Sequence, residues 1–273
     1  MRRNLLRMLG ALFLFVASTV AQQRNTDIDE IGKRDINRGR PVVGNLGREM
    51  IMGREWADEI ERRGTKLLDE PVVSEYANRI GQNIAIKSDA KGLFTTKVVD
   101  STAINALALP GDFLYINAGL ILAADNESQL AGIMAHMMAH VAARHASELE
   151  ARNGIGLGPQ KPSILTSPKS ARTLPPQFYT FMRQSEEEAD LLGVQYLYKA
   201  GYDPTAMVSM FQKLTVNEIA GRVSELFDTP LQTERRVTNT NEYINRYLPT
   251  RPQNTVTTSE FQNVKALVIT LTQ

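Results

Sequence analysis

The sequence predicts an α+β fold, mainly helical, with a small β-sheet and one central buried helix. Three observations predict it. Apolar residues recur at helical spacing over most of residues 47–247, punctuated by Gly and Pro stops. Two short runs, 92–100 and 113–118, read instead as strands. Residues 126–149 form an Ala-rich run with apolar side chains on nearly every face of its middle, the pattern of a buried helix.

Each element follows in chain order. Met1–Arg7 is basic, Met8–Val20 is an uncharged apolar run, and Thr19-Val20-Ala21 offers small residues. This three-part pattern reads as a secretory signal peptide over 1–21, with small residues for cleavage after Ala21, or as an uncleaved anchor. Its apolar run of thirteen residues is too short to span a bilayer as a helix. The expected location is therefore export, into a bacterial periplasm. Residues 22–46 are polar with mixed charges and read as a flexible lead-in to a domain over 47–248. Residues 47–69 are helical, with Met50, Ile51, Trp56, Ile60 and Leu67 to bury; Trp56, the single tryptophan, reads as core. Asp69-Glu70-Pro71 breaks the pattern. A second helix covers 72–85, with Val73, Tyr76, Ala77, Ile80 and Ile84 as its stripe.

After the strand at 92–100, Ser101–Leu109 reads as irregular and Pro110-Gly111-Asp112 as a turn. Phe113–Ala118 alternates as a strand. A strand there either offers its edge to an extended peptide or pairs inside a sheet. Gly119–Ala124 leads into the central helix, whose start carries Asn126 and Gln129 as a capping-box pair. Asn153-Gly154 stops it. Residues 153–178 are rich in Pro, Gly and Ser and read as a loop, either a lid or a solvated connector. Helices follow at 179–200, ended by Gly201 and Pro204, at 204–218 with Met207, Met210, Phe211 and Leu214 to bury, and at 232–247. Residues 249–273 form a C-terminal tail.

Chemistry concentrates in the central helix, which holds all three histidines. His136 and His140 are four apart, which on a helix puts both rings on one side, about 40° apart. Two histidines need this spacing to hold one Zn²⁺, and two ordinary core histidines also fit it. His145 is nine residues from His136 and is expected on the opposite face, away from that site. Zinc peptidases place a Glu directly after the first histidine as general base. Here that residue is Met137, whose thioether cannot take a proton. Glu186 and Asp190 share a face of the helix over 179–200. Glu186-Glu187-Glu188 is either a solvated acidic patch or the source of a third metal ligand, with Asp190 orienting a histidine ring.

Composition narrows the classes. The chain has 273 residues, 42% hydrophobic and 22% charged, which suits one compact domain. A net charge of +1 gives no sign of a nucleic-acid surface. The absence of cysteine excludes disulfides, cysteine catalysis and thiolate ligands. No segment after residue 21 reads as a membrane span, and no internal repeat, Gly-rich phosphate loop or nucleophile elbow is present.

Four segments together resemble the gluzincin metallopeptidases of family M forty-eight, the HtpX and CAAX prenyl protease type, closest in layout to the soluble, exported members. They are Asn105–Leu120, the helix from His136 to His145, Glu186 and Asp190 with Leu-Gly-Val-Gln-Tyr behind them, and the turn from Phe227 to Arg235. The similarity covers about residues 45–270. The resemblance implies a zincin-like domain, mainly helical with a small sheet, that cleaves peptide bonds. It implies one Zn²⁺ per chain, held by His136, His140 and Glu186 and supported by Asp190. It implies a polypeptide substrate or client laid along the strand of Phe113, Tyr115 and Asn117. Two positions depart from the family. Met137 replaces the catalytic Glu, and Thr229 stands where exported members carry a histidine before proline, with Arg235 six residues beyond it. Three readings follow. The chain is a pseudopeptidase that keeps metal and groove and binds unfolded or envelope clients; or a zinc metalloendopeptidase with residual activity from the metal alone; or a metal-free interaction module. The oligomeric state is left open by the sequence.

Overall fold

The structure, a computed structural model, describes residues 26–153, 176–219 and 233–273. The expected signal segment, most of the 153–178 loop and the turn holding Thr229 lie outside the described residues. Helix α1 (Leu46–Arg62) and α2 (Pro71–Ala85) precede strands β1 (Thr95–Val99), β2 (Ala106–Leu109) and β3 (Phe113–Asn117). Short α3 (Ala118–Ala123) leads to α4 (Glu127–Ala142) and α5 (His145–Asn153). Then come α6 (Pro176–Lys199), α7 (Thr205–Ile219), α8 (Thr233–Tyr247) and α9 (Ser259–Leu271). The mainly helical fold with one small sheet is as the sequence predicts.

The sheet has the order β1-β3-β2, with β1 parallel and β2 antiparallel to β3. Strand β2 was not expected. Ala106–Leu109 is too short to show alternation, yet Pro110-Gly111-Asp112, with Gly111 at φ 93°, folds it back on β3 as a hairpin. The sheet order corrects the assignment of β3 as the peptide-binding edge. Both sides of β3 are paired, so its backbone has no groups left for a substrate. The outer side of β1 is also taken. Asn78 on α2 exchanges two hydrogen bonds with the Thr96 backbone, at 2.8 and 2.9 Å, and Leu68 N–H donates to Val98 C=O. Among the described residues, β2 therefore carries the sheet's open edge.

Helix α4 is the hub of the core. Asn126 caps it by accepting from Gln129 N–H at 2.9 Å, and the Gln129 side chain accepts from Asp125 N–H at 2.8 Å. Leu130, Ala131, Ile133, Met134, Ala135, Met138 and Ala139 are all fully buried. The helix ends earlier than the sequence suggests. Arg144 takes a left-handed φ of 55°, held by its Nε donating to Glu49 at 2.9 Å and its Nη2 donating to the Gly44 carbonyl at 3.2 Å. The chain turns there and restarts as α5, so residues 126–149 are two helices and not one.

Both ends of the described chain are tied to this core. The lead-in expected to be flexible has neither helix nor strand over 26–45, but its charges find buried partners. Arg34 pairs with Asp89 and donates to Gln195, both at 2.8 Å, and Asn37 donates to the Ala142 carbonyl at 2.7 Å. In the tail, α9 buries Phe261, Val264 and Val268 in the main core, with Thr258 as its cap.

Candidate metal centre

Helices α4 and α6 lie close enough for backbone contact. A Cβ added at Gly193 would stand 2.9 Å from His136 Cα, so glycine there lets α6 approach the histidine turn of α4. This approach aims Glu186 and Asp190 at His136. The Nε2 atoms of His136 and His140 lie 3.2 Å apart. Glu186 places one carboxylate oxygen 3.3 Å from His136 Nε2 and the other 3.4 Å from His140 Nε2. A tetrahedral ion with bonds of about 2.0–2.2 Å needs its donors about 3.3–3.5 Å apart. The three groups have that spacing and form a cluster that can hold a metal ion.

The chemistry of the donors agrees. His136 Nδ1 lies 2.9 Å from Asp190 Oδ1, so the ring hydrogen belongs on Nδ1 and a lone pair on Nε2. Nitrogen and carboxylate lone pairs then converge, which favours a cation between them. Burial pushes the His136 pKa down, but Asp190 and Glu186 outweigh it and leave it raised. Burial lowers His140 to about 4, so this ring stays neutral and free to act as a ligand at ordinary pH.

Four residues around the cluster were not foreseen in these places. Arg236 on α8 holds Asp190 bidentately, at 2.7 and 2.8 Å, and reaches within 3.4 Å of Glu186. Its guanidinium also stacks 4.4 Å from the Phe211 ring centroid. Burial alone would raise the Asp190 pKa, but Arg236 outweighs it and keeps Asp190 a carboxylate. Arg235, the arginine that the resemblance singled out six residues beyond Thr229, pairs with Glu187 at 2.9 Å. His145, expected on the far face, lies with its Nδ1 2.9 Å from His140 Nδ1, because the turn at Arg144 swings it back. Glu188, in the run that also read as a solvated acidic patch, lies 3.2 Å from His145 Nε2 and is bound by Arg40 of the lead-in.

Beside the cluster opens a cavity of about 180 Å³, lined by Ala106 and Ala108 of β2 and by Met137, His140, His145 and Phe181. Met137 is half-buried and forms part of this wall, not a plug sealed in the core. Glu49 also reaches the cavity, where Arg144 and Ser147 both donate to its carboxylate. Phe113, Tyr115 and Asn117 do not line it. Tyr115 packs with Met52 and Trp56 and donates to Glu61 at 2.5 Å, while Asn117 donates to the Ala103 carbonyl at 3.1 Å.

A mainly helical domain with a three-stranded sheet, two histidines one helical turn apart and a glutamate from a facing helix define a metallopeptidase-type scaffold. The sequence model of peptidase family M48 matches residues 69–254, and the chain belongs to that family. Among its relatives is the beta-barrel assembly-enhancing protease of Escherichia coli K12, 29% identical over 222 residues, covering 75% of this chain and 45% of the relative. The putative beta-barrel assembly-enhancing protease of Vibrio cholerae is 29% identical over 239 residues, 81% of this chain and 49% of the relative. The mitochondrial metalloendopeptidase OMA1 of Arabidopsis thaliana is 24% identical over 172 residues, 62% and 34% respectively. The chain thus spans about half the length of the first two.

Proposed function

We propose that this chain binds one Zn²⁺ through His136, His140 and Glu186 and holds extended polypeptide against β2, with little or no hydrolysis. The spacing of 3.2–3.4 Å among the three donor groups carries the metal assignment. When bound, zinc supplies Lewis-acid polarisation and lowers the pKa of a water ligand. This chain's residues do the rest of the work. Asp190 orients His136, and Arg236 keeps Asp190 charged. Met137 fills the position from which a carboxylate would take a proton, which removes roughly 10²–10⁴-fold in rate. It presents an adaptable apolar side chain to the cavity instead.

The peptide site is the β2 edge. Asn117 N–H donates to the Asn105 carbonyl, and the alternation that follows turns the backbone groups of Ala106 and Ala108 outward, beside Met137 and His140. The names of the bacterial relatives, and the signal-like N-terminus, support unfolded envelope proteins, β-barrel precursors among them, as clients of an exported protein.

The test uses zinc-loaded protein and a fluorescent extended peptide. Wild type is expected to bind without cleaving. Ala108→Pro, which removes one outward N–H at a position an edge strand tolerates, is expected to weaken binding about 2–10-fold. Met137→Glu is expected to start chelator-sensitive cleavage. Efficient cleavage by wild type, or no peptide affinity in the folded protein, contradicts the reading.

A further inference from the structure

The metal reading uses one nitrogen of His140 and leaves a string of polar groups behind the other. His145, 5% exposed, sits there with Nδ1 2.9 Å from His140 Nδ1. Two imidazole nitrogens at this distance need one hydrogen between them. Which ring carries it is decided one step further back. His145 Nε2 lies 3.2 Å from Glu188 Oε2, and a carboxylate only accepts, so the hydrogen of a neutral His145 belongs on Nε2. Arg40 pairs with Glu188 and, at 2.9 Å, with Glu148, which keeps Glu188 an acceptor. His145 Nδ1 is then a lone pair, His140 donates to it through Nδ1–H, and His140 Nε2 faces His136 and Glu186 as a lone pair.

We propose that His145, backed by Glu188 and Arg40, is a positioning residue that locks His140 in the Nδ1–H tautomer and so presents its Nε2 as a metal ligand. The inference rests on the metal reading above. It also gives a reason for the left-handed Arg144. A continuous helix would carry His145 to the far side, and the turn at φ 55° brings it back. The two ligand histidines are thereby oriented by different means: His136 by Asp190 and Arg236, His140 by His145, Glu188 and Arg40.

Two measurements on the full chain test this. Long-range ¹H–¹⁵N spectra of the metal-free protein report the His140 tautomer directly. Competition with a chromophoric chelator reports zinc affinity. Wild type is expected to show His140 as Nδ1–H. His145→Phe keeps the bulk, and is expected to lose that signature and to weaken zinc about 10–100-fold. His145→Gln, whose carboxamide accepts from His140 and donates to Glu188, is expected to recover most of both; a residue acting through packing alone would not show this rescue. Wild-type His140 found as Nε2–H overturns the proposal even if His145→Phe fails to fold. Unchanged zinc affinity in a folded His145→Phe overturns it too. A wild type that binds no zinc ends the metal reading, while the tautomer spectrum still supports or overturns the role of His145.

Discussion

Met137 sets a thioether beside the two histidines, and the described carboxylates nearest it are each held by other groups. Glu186 faces the two histidines, Glu49 is bonded by Arg144 and Ser147, and Glu187 pairs with Arg235. Glu188 is the clearest case. Burial alone would raise its pKa, but His145 and Arg40 outweigh that and hold it at about 2, against an ordinary 4.5. Because the value falls on folding, the stabilisation is complete above about pH 4.5 and is lost as pH drops toward 2. Glu188→Gln is expected to cost on the order of 2–3 kcal/mol at neutral pH and to flatten the acid limb of the stability curve, read by denaturant titration at several pH values. A variant with an unchanged acid limb contradicts this. The four residues read from spacing, His136, His140, Glu186 and Asp190, do come together. The supporting residues were not legible. His145 was placed on the assumption of one unbroken helix, which Arg144 ends, and Glu188 finds a partner only because that turn brings His145 round to it. Arg235 and Arg236 differ by one position, or 100° of helix rotation, which sequence alone does not orient.

Helix α6 brings its acids to α4 only because Gly193 leaves room. Gly193→Ala would press a methyl to 2.9 Å from His136 Cα and 3.0 Å from its backbone nitrogen. The gain in helix propensity is at most about 1 kcal/mol, and the overpacking costs roughly 1–3 kcal/mol. The variant is expected to be less stable and to bind zinc more weakly, since Glu186 and Asp190 move with α6. A more stable variant with unchanged zinc affinity would show that the approach is not required. The strands show how far pattern reading reaches. Alternation found β3 and placed it as a strand, but alternation cannot say which strand lies at an edge. That depends on Asn78 and residues 66–68 covering β1, and on a hairpin leaving β2 outermost.

Across the whole molecule, the centre is assembled from segments far apart in the chain: the lead-in with Arg40, the α4–α5 turn, α6, and α8 with Arg236. The fold class and most helices were legible because a helix writes its burial into local spacing. The anchoring of the lead-in was not, since Arg34 and Arg40 look like solvated charges until Asp89, Glu148 and Glu188 meet them. An ion bound only by the folded state would couple all these segments and would add about 2.7 kcal/mol of stability at one hundred times its dissociation constant. The most direct measurement is therefore the zinc content and thermal midpoint of the purified chain, with His136→Ala as control. About one zinc per chain is expected, with a midpoint that falls with chelator, both effects lost in the control. A folded wild type that takes up no zinc from excess metal, with a midpoint indifferent to chelator, would contradict the metal reading.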